Sequence, residues 1–205
     1  METKKSLSTK QWVILALMSA VVLIMSTTPL GTLPLGPLSI TLNMIPIAIA
    51  AIAVGPLGGV VVGTVFGTFS FLQAMGIGIP SGLGIITFGI SPVLTFVQRV
   101  VSRALTGLLV GYIFKGTKKL FHTVPAYFIT GGCAAILNFI FFMGSLVLLF
   151  GSHEAVANSW AGKSVMAYLV ATFVSNTISE IIATTLITGS VCLGLHKARL
   201  IQNRD

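Results

Sequence analysis

The sequence predicts an all-α integral membrane protein of six transmembrane helices with both termini in the cytoplasm. Three observations carry that expectation. Of the 205 residues, 55% are hydrophobic and only 8% charged. Mean hydropathy is +1.01. The basic residues gather beside the ends of the apolar runs. A soluble domain carries roughly 25% charged residues. A chain this apolar cannot cover itself with a water-compatible surface, so lipid must be its solvent. Crossing a hydrocarbon core of roughly 30 Å takes about 20 helical residues. One membrane domain over residues 1–205 therefore has room for six or seven crossings, with nothing left for a second folded domain.

Apolar stretches and their breakers place helices near 11–28, 43–54, 56–75, 92–114, 122–150 and 163–196. The first follows a basic start, Met1 to Lys10, in the manner of a signal peptide. No small-residue cleavage site with a soluble domain behind it follows, so this helix is expected to be retained. The second is short and holds Pro46, so a tilt or a break is expected there. It turns tightly into the third through Gly55-Pro56-Leu57-Gly58. Glycines recur at four-residue spacing in the third helix (Gly55, Gly59, Gly63, Gly67) and in the fourth (Gly107, Gly111). In lipid such rows let helix backbones approach closely. The connections 29–42 and 76–91 are rich in Pro and Gly and carry no charge, and both are read as loops.

Orientation follows from the basic residues. With six crossings, one side collects Lys4, Lys5, Lys10, Lys115, Lys118, Lys119, Lys197, Arg199 and Arg204, and the other collects only Lys163. The rich side is the cytoplasmic one, so 29–42, 76–91 and 151–162 face outward. The net charge of +8 is thus a topology signal, and no nucleic-acid partner is expected.

Ionisable residues within a span are costly and are functional candidates by default. Arg99 and Arg103, four residues apart, share a face of the fourth helix. Glu180 belongs to a polar stripe in the sixth: Thr172, Asn176, Glu180, Thr184 and Thr188. Asn138 lies near the middle of the fifth. Gln73, Asn43 and Thr41 sit at outer helix ends. At about 1.5 Å per residue, these groups converge on a pocket in the outer half of the membrane. One arginine paired with Glu180 makes a buried ion pair that fixes helix register. One acid does not neutralise two arginines, however. The remaining guanidinium suits a ligand carboxylate, and Arg99 is the candidate. Asn138 and Asn176 serve either the ligand or a neighbouring helix.

Enzyme readings find little support. Residues 157–164, Ala-Asn-Ser-Trp-Ala-Gly-Lys-Ser, mimic a phosphate-binding loop, but Ala157 replaces its first glycine and no strand precedes it. His122, His153 and His196 lie near helix ends, and no metal-ligand spacing is present. Cys133 and Cys192 sit in separate apolar segments and read as packed thiols. No cofactor and no metal are expected.

The chain resembles the substrate-binding (S) components of energy-coupling factor (ECF) vitamin transporters. The likeness is carried by Ala16-Leu-Met-Ser-Ala20, by Pro34-Leu-Gly-Pro-Leu-Ser-Ile-Thr-Leu-Asn43-Met-Ile-Pro46, by Gly55-Pro-Leu-Gly58 and by Asn176-Thr-Ile-Ser-Glu180. It covers nearly the whole chain. The resemblance implies the S-component fold in a prokaryotic plasma membrane and capture of a vitamin from outside, under the first, third and fifth connections. It also implies work with a membrane scaffold subunit and two ATPase subunits, which hydrolyse the ATP. Ala16 and Ala20 match the family's scaffold-contacting pair. Release into the cell by toppling of the whole subunit is implied as well.

The vitamin is read from the pocket's chemistry. Flat vitamins are gripped by stacked rings. Here Trp160 and Tyr168 are the only Trp or Tyr near the outer side, and the phenylalanines are read as lipid-facing. Arginine with amides suits a small, flexible, polar acid, and pantothenate matches in kind. The chain's overall look also resembles pantothenate-specific members. The alternatives are an S component for riboflavin, folate or a pyridoxine-like vitamin, and a stand-alone secondary transporter coupled through Glu180.

Overall fold

The computed structural model describes residues 7–28, 31–35, 38–79, 81–158 and 164–201, with backbone alone over 32–35 and 38–41. Lys4, Lys5, Trp160, Lys163 and Arg204, and most of the loop mimic at 157–164, lie outside the described residues. Helix α1 (Thr9–Thr27) starts at a capping box, in which Ser8 Oγ accepts from Gln11 N–H and the Gln11 side chain accepts from Ser8 N–H. Strands β1 (Thr32–Leu35) and β2 (Leu38–Thr41) form an antiparallel pair, with Thr32 opposite Thr41. Next come α2 (Met44–Val54) and α3 (Pro56–Ala74), then a short α4 (Gly82–Ile90). Helix α5 runs over Pro92–Phe121, α6 over Thr123–Phe150, α7 over Glu154–Asn158 and α8 over Val165–Lys197.

Five of these helices (α1, α3, α5, α6 and α8) are long and apolar enough to cross a membrane, which makes this a multi-pass membrane protein. The sixth predicted span, α2, has 11 residues. At about 1.5 Å per residue it covers only about half of a hydrocarbon core. It is not broken, as its proline had suggested: Pro46 falls in the first turn, where the missing N–H has no intrahelical partner to lose. Every residue from Met44 to Ile52 is buried, and α2 touches α1, α3, α5, α6 and α8. A helix apolar all round belongs in the middle of a bundle, and α2 is the core around which the long helices stand.

Two connections read as loops hold regular structure. Residues 29–42 contain the β1–β2 hairpin, where Leu38-Ser39-Ile40-Thr41 alternates at the strand period. Pro34 lacks an N–H, which a two-stranded edge tolerates. Within 76–91 stands α4, capped by Ser81, whose Oγ accepts from Gly84 N–H at 3.3 Å. Its glycines disguised it in sequence. Packing rather than propensity holds it: Phe71 of α3 meets Phe88 of α4 edge-on at 5.8 Å and Phe96 of α5 at 5.4 Å. The fourth predicted helix also runs seven residues past 114, to Phe121. Lys115, Lys118 and Lys119 therefore sit on helix rather than in a loop, where they also complement its C-terminal dipole.

Gly59, Gly63 and Gly67 form the seam between α3 and α5. A Cβ on Gly59 would overlap the Gly107 carbonyl, and one on Gly67 would lie 2.7 Å from Val100 Cα. Gly55 has a different task. At φ +99° it makes the α2–α3 turn, in a conformation that side chains rarely adopt. Both cysteines are free, and Cys192 packs with Ile45, Ile49 and Tyr127.

Candidate functional site

Above the N-terminal end of α2 the long helices enclose a cavity of about 380 Å³. Because α2 stops half-way, the space it would have filled stays open. Asn43, the residue before α2, is 3% exposed and lines the cavity. The positive end of the α2 dipole therefore meets the cavity too. Arg99, Arg103, Asn138, Asn176, Glu180 and Gln73 line it as well. The remaining sequence candidate, Thr41, has its side chain outside the described residues; its strand β2 lies beside the Phe173–Thr177 turn of α8.

Two π-helical turns shape the walls. In α5 the turn is Val97–Val101 and contains Arg99; in α8 it is Phe173–Thr177 and contains Asn176. A π-turn adds a residue to the repeat and re-aims the side chains after it. In α8 it brings Asn176 and Thr177 to the cavity together, with Thr172 and Glu180. Thr184 and Thr188, from the same predicted stripe, pack elsewhere. Both are fully buried, and the Thr184 carbonyl abuts Gly131 of α6.

Arg99 is 3% exposed. Its Nη1 donates to the Ser70 carbonyl at 3.0 Å and to Ser70 Oγ at 2.7 Å, and its Nη2 donates to Ser81 Oγ at 3.2 Å. These acceptors are all neutral. Arg103 donates to the Arg99 carbonyl at 3.1 Å, and its guanidinium carbon lies 4.4 Å from the Phe66 ring centroid and 4.6 Å from that of Phe142. Ring faces stabilise a cation without neutralising it. Glu180, buried, faces the same cavity. Two guanidiniums and one carboxylate leave a formal charge of +1 among the described ionisable groups lining the cavity.

The lining also holds most of the orphaned polar atoms. Among the described residues, buried side-chain atoms without a hydrogen-bond partner are Ser26 Oγ, Asn43 Oδ1, Gln98 Oε1, Arg99 Nε, Arg103 Nε, Asn138 Oδ1 and Thr188 Oγ1. All but those of Gln98 and Thr188 belong to residues of the cavity wall. Buried polar atoms are normally paired, so this cluster of exceptions leaves the cavity wall with unused hydrogen-bonding capacity. Gln73 donates one N–H to the Ser26 carbonyl at 2.9 Å, tying α3 to α1, while its side chain also lines the cavity.

Sequence reasoning missed several residues. Ser26, Ser70 and Ser81 line the cavity. Serine is too common in apolar helices to stand out. The view of the phenylalanines as lipid-facing is corrected: Phe66, Phe139 and Phe142 line the cavity, two of them against Arg103. Ala16 and Ala20 are both exposed on α1, with Trp12 and Leu17 on the same stretch also bare.

A family profile described as "ECF transporter, substrate-specific component" matches residues 10–191. It spans most of the chain, and the chain belongs to that family. Members are transport subunits rather than enzymes; they bind small-molecule substrates and work with scaffold and ATPase subunits. Comparison with curated proteins finds no match.

Proposed function

We propose that this member of the ECF substrate-specific family captures pantothenate from outside the cell and delivers it to the cytoplasm with a scaffold subunit and two ATPase subunits. The whole chain acts as one membrane unit in a prokaryotic plasma membrane. In this reading α2 and the β1–β2 hairpin complete a sixth crossing, and both termini are cytoplasmic. The observation that carries the substrate reading is the formal +1 lining, with its orphaned Arg99 Nε, Arg103 Nε and Asn138 Oδ1. A monoanion that also offers hydroxyls and an amide satisfies all of these at once. Arg99 holds the carboxylate. Asn138, Asn176 and Gln73 bond the amide and hydroxyls, with Asn43 and Thr41 as further ligand contacts. Glu180 orients Arg103 or accepts from a substrate hydroxyl. Ala16 and Ala20, bare on α1, supply the scaffold contact.

One observation favours a second reading. Phe66, Phe139 and Phe142 give the cavity an aromatic wall, which suits a planar vitamin such as riboflavin or folate. Two of these rings already stack on Arg103, so the flexible acid is preferred.

Mass spectrometry of the small molecule that co-purifies with the detergent-solubilised protein tests the assignment, followed by titration with pantothenate and with its neutral alcohol analogue. Pantothenate should co-purify and bind at least about 100-fold more tightly than the alcohol, because a buried guanidinium left without its anion costs roughly 2–5 kcal/mol. A flat vitamin co-purifying, or equal affinity for acid and alcohol, would sink the reading.

Gly84 offers a subtler check. A Cβ there would lie 2.6 Å from Arg99 Nη2 and 3.0 Å from both Arg99 Cζ and Ala74 Cα. Helix α4 thus seats Arg99, and Gly84→Ala must displace the guanidinium because the Ala74 backbone cannot yield. The strain of overpacking, about 1–3 kcal/mol, should appear as roughly a tenfold loss of pantothenate affinity in calorimetry. Unchanged affinity would show that the seat is not used.

A further inference from the structure

A second cavity, of about 930 Å³, opens at the opposite end of the bundle. Lys118 lies 19 residues beyond Arg99 on α5, which is about 28 Å along the helix. Much of the remaining lining is apolar: Ala53, Val54, Pro56 and Leu108 are half-buried along it, while Ile52, Ile201 and Tyr127 beneath are almost wholly buried. The Tyr127 hydroxyl is held by His196 Nδ1 at 3.1 Å, and its ring stacks on Phe114 at 5.7 Å. The rim is basic: Lys115, Lys118 and Lys119 line one side, and Lys115 Nζ stands 5.6 Å from the ring centroid of exposed Tyr112. None of the described lining residues is acidic.

Lysines at helix ends alone would record only topology. Here they stand over a cavity whose lining is otherwise largely apolar and where Leu57 and Tyr112 are exposed. Basic pockets between transmembrane helices suit anionic lipid headgroups. A soluble phosphate would use the lysines and leave the apolar lining unused, whereas a phospholipid matches both. We propose that this cavity is a binding site for an anionic phospholipid. Its phosphate lies at the lysine rim beside Lys115 and Lys119, its glycerol backbone rests beside Ala53 and Pro56, and its acyl chains leave past Leu57 into the bilayer.

The test is native mass spectrometry of the full chain in detergent, titrated with phosphatidylglycerol, phosphatidylcholine and glycerol 3-phosphate. Wild type should bind phosphatidylglycerol at least about tenfold more tightly than phosphatidylcholine, and glycerol 3-phosphate should not compete. A triple Lys→Gln variant at 115, 118 and 119 should lose that preference. Ala53→Trp, which fills the cavity with the lysines intact, should lose tight binding altogether. Monodisperse elution and an unchanged unfolding temperature verify that both variants are folded. Unchanged lipid preference in either folded variant overturns the proposal. Effective competition by glycerol 3-phosphate also overturns it, by assigning a soluble-phosphate site. So does loss of scaffold co-purification in the triple variant with lipid binding intact, since the face then belongs to a protein partner. Lipid binding that emerges only on deleting residues 1–6 and 202–205 would show the chain's own ends to be the occupant, with the same consequence.

Discussion

Replacing Arg99 by alanine should weaken pantothenate binding by at least about 100-fold while the apo protein stays folded. The guanidinium is buried, its hydrogen-bond acceptors in Ser70 and Ser81 are neutral, and Nε has no partner. Its charge is held ready at some cost to stability, as functional groups often are. The unfolding temperature in saturating ligand separates a binding role from a structural one. At a ligand concentration 100 times Kd, binding stabilises wild type by about 2.7 kcal/mol; with Kd raised 100-fold the same concentration gives only about 0.4 kcal/mol. The variant should therefore lose nearly all ligand-induced stabilisation, with little change in apo stability. Arg99→Lys should recover only part of the affinity, because an ammonium cannot reproduce the planar fork that reaches Ser70, Ser81 and a carboxylate together. If the alanine variant binds like wild type, the carboxylate lies elsewhere and Arg103 becomes the candidate. If apo stability collapses instead, Arg99 is chiefly the tie between α3, α4 and α5.

The polar framework of this cavity was legible in the sequence for a simple reason. In so apolar a chain Arg99, Arg103 and Glu180 have no cheap place to be, so each reports a position that compensates for its cost. The amides Asn43, Asn138 and Asn176 follow from the same logic with less force. What stayed hidden is what tertiary structure decides. The π-turns at Val97–Val101 and Phe173–Thr177 re-register one face of each helix, and no residue type in either turn announces them. Helix α4 consists of apolar residues and glycines and exists because Phe71, Ala74 and Arg99 receive it. The inward turn of Phe66, Phe139 and Phe142 could not be told from lipid exposure, since both environments accept a phenyl ring equally well. The second helix was legible in its bounds but not in its consequence. Its 11 residues read as a short crossing, and the sequence does not show that this shortness leaves a cavity above Asn43.

The seam that holds this arrangement gives the second large effect. Gly107→Ala should destabilise the protein by about 2–4 kcal/mol, while Gly116→Ala on the same helix should be neutral or mildly stabilising. At Gly107 an added Cβ would overlap the carbonyl oxygen and carbon of Gly59 and crowd its Cα at 3.1 Å, all backbone atoms of α3. No rotamer change relieves that clash, so the whole of α3 must retreat, at or above the upper end of ordinary overpacking costs. At Gly116 nothing lies within 4 Å, and removing a helical glycine gains up to about 1 kcal/mol. The retreat also has a functional consequence. One and two turns from Gly59 on α3, Gly63 and Gly67 lie against the backbone of Arg103 and of Arg99 to Val100. A wedge at Gly107 therefore opens the seam toward the arginines and draws Ser70 away from Arg99. Thermal unfolding in detergent measures the first effect and pantothenate titration the second. The two should fall together in Gly107→Ala and neither in Gly116→Ala. A Gly107→Ala protein as stable as wild type would mean that α3 and α5 do not meet at this depth, and the seating of both guanidiniums would have to be redrawn.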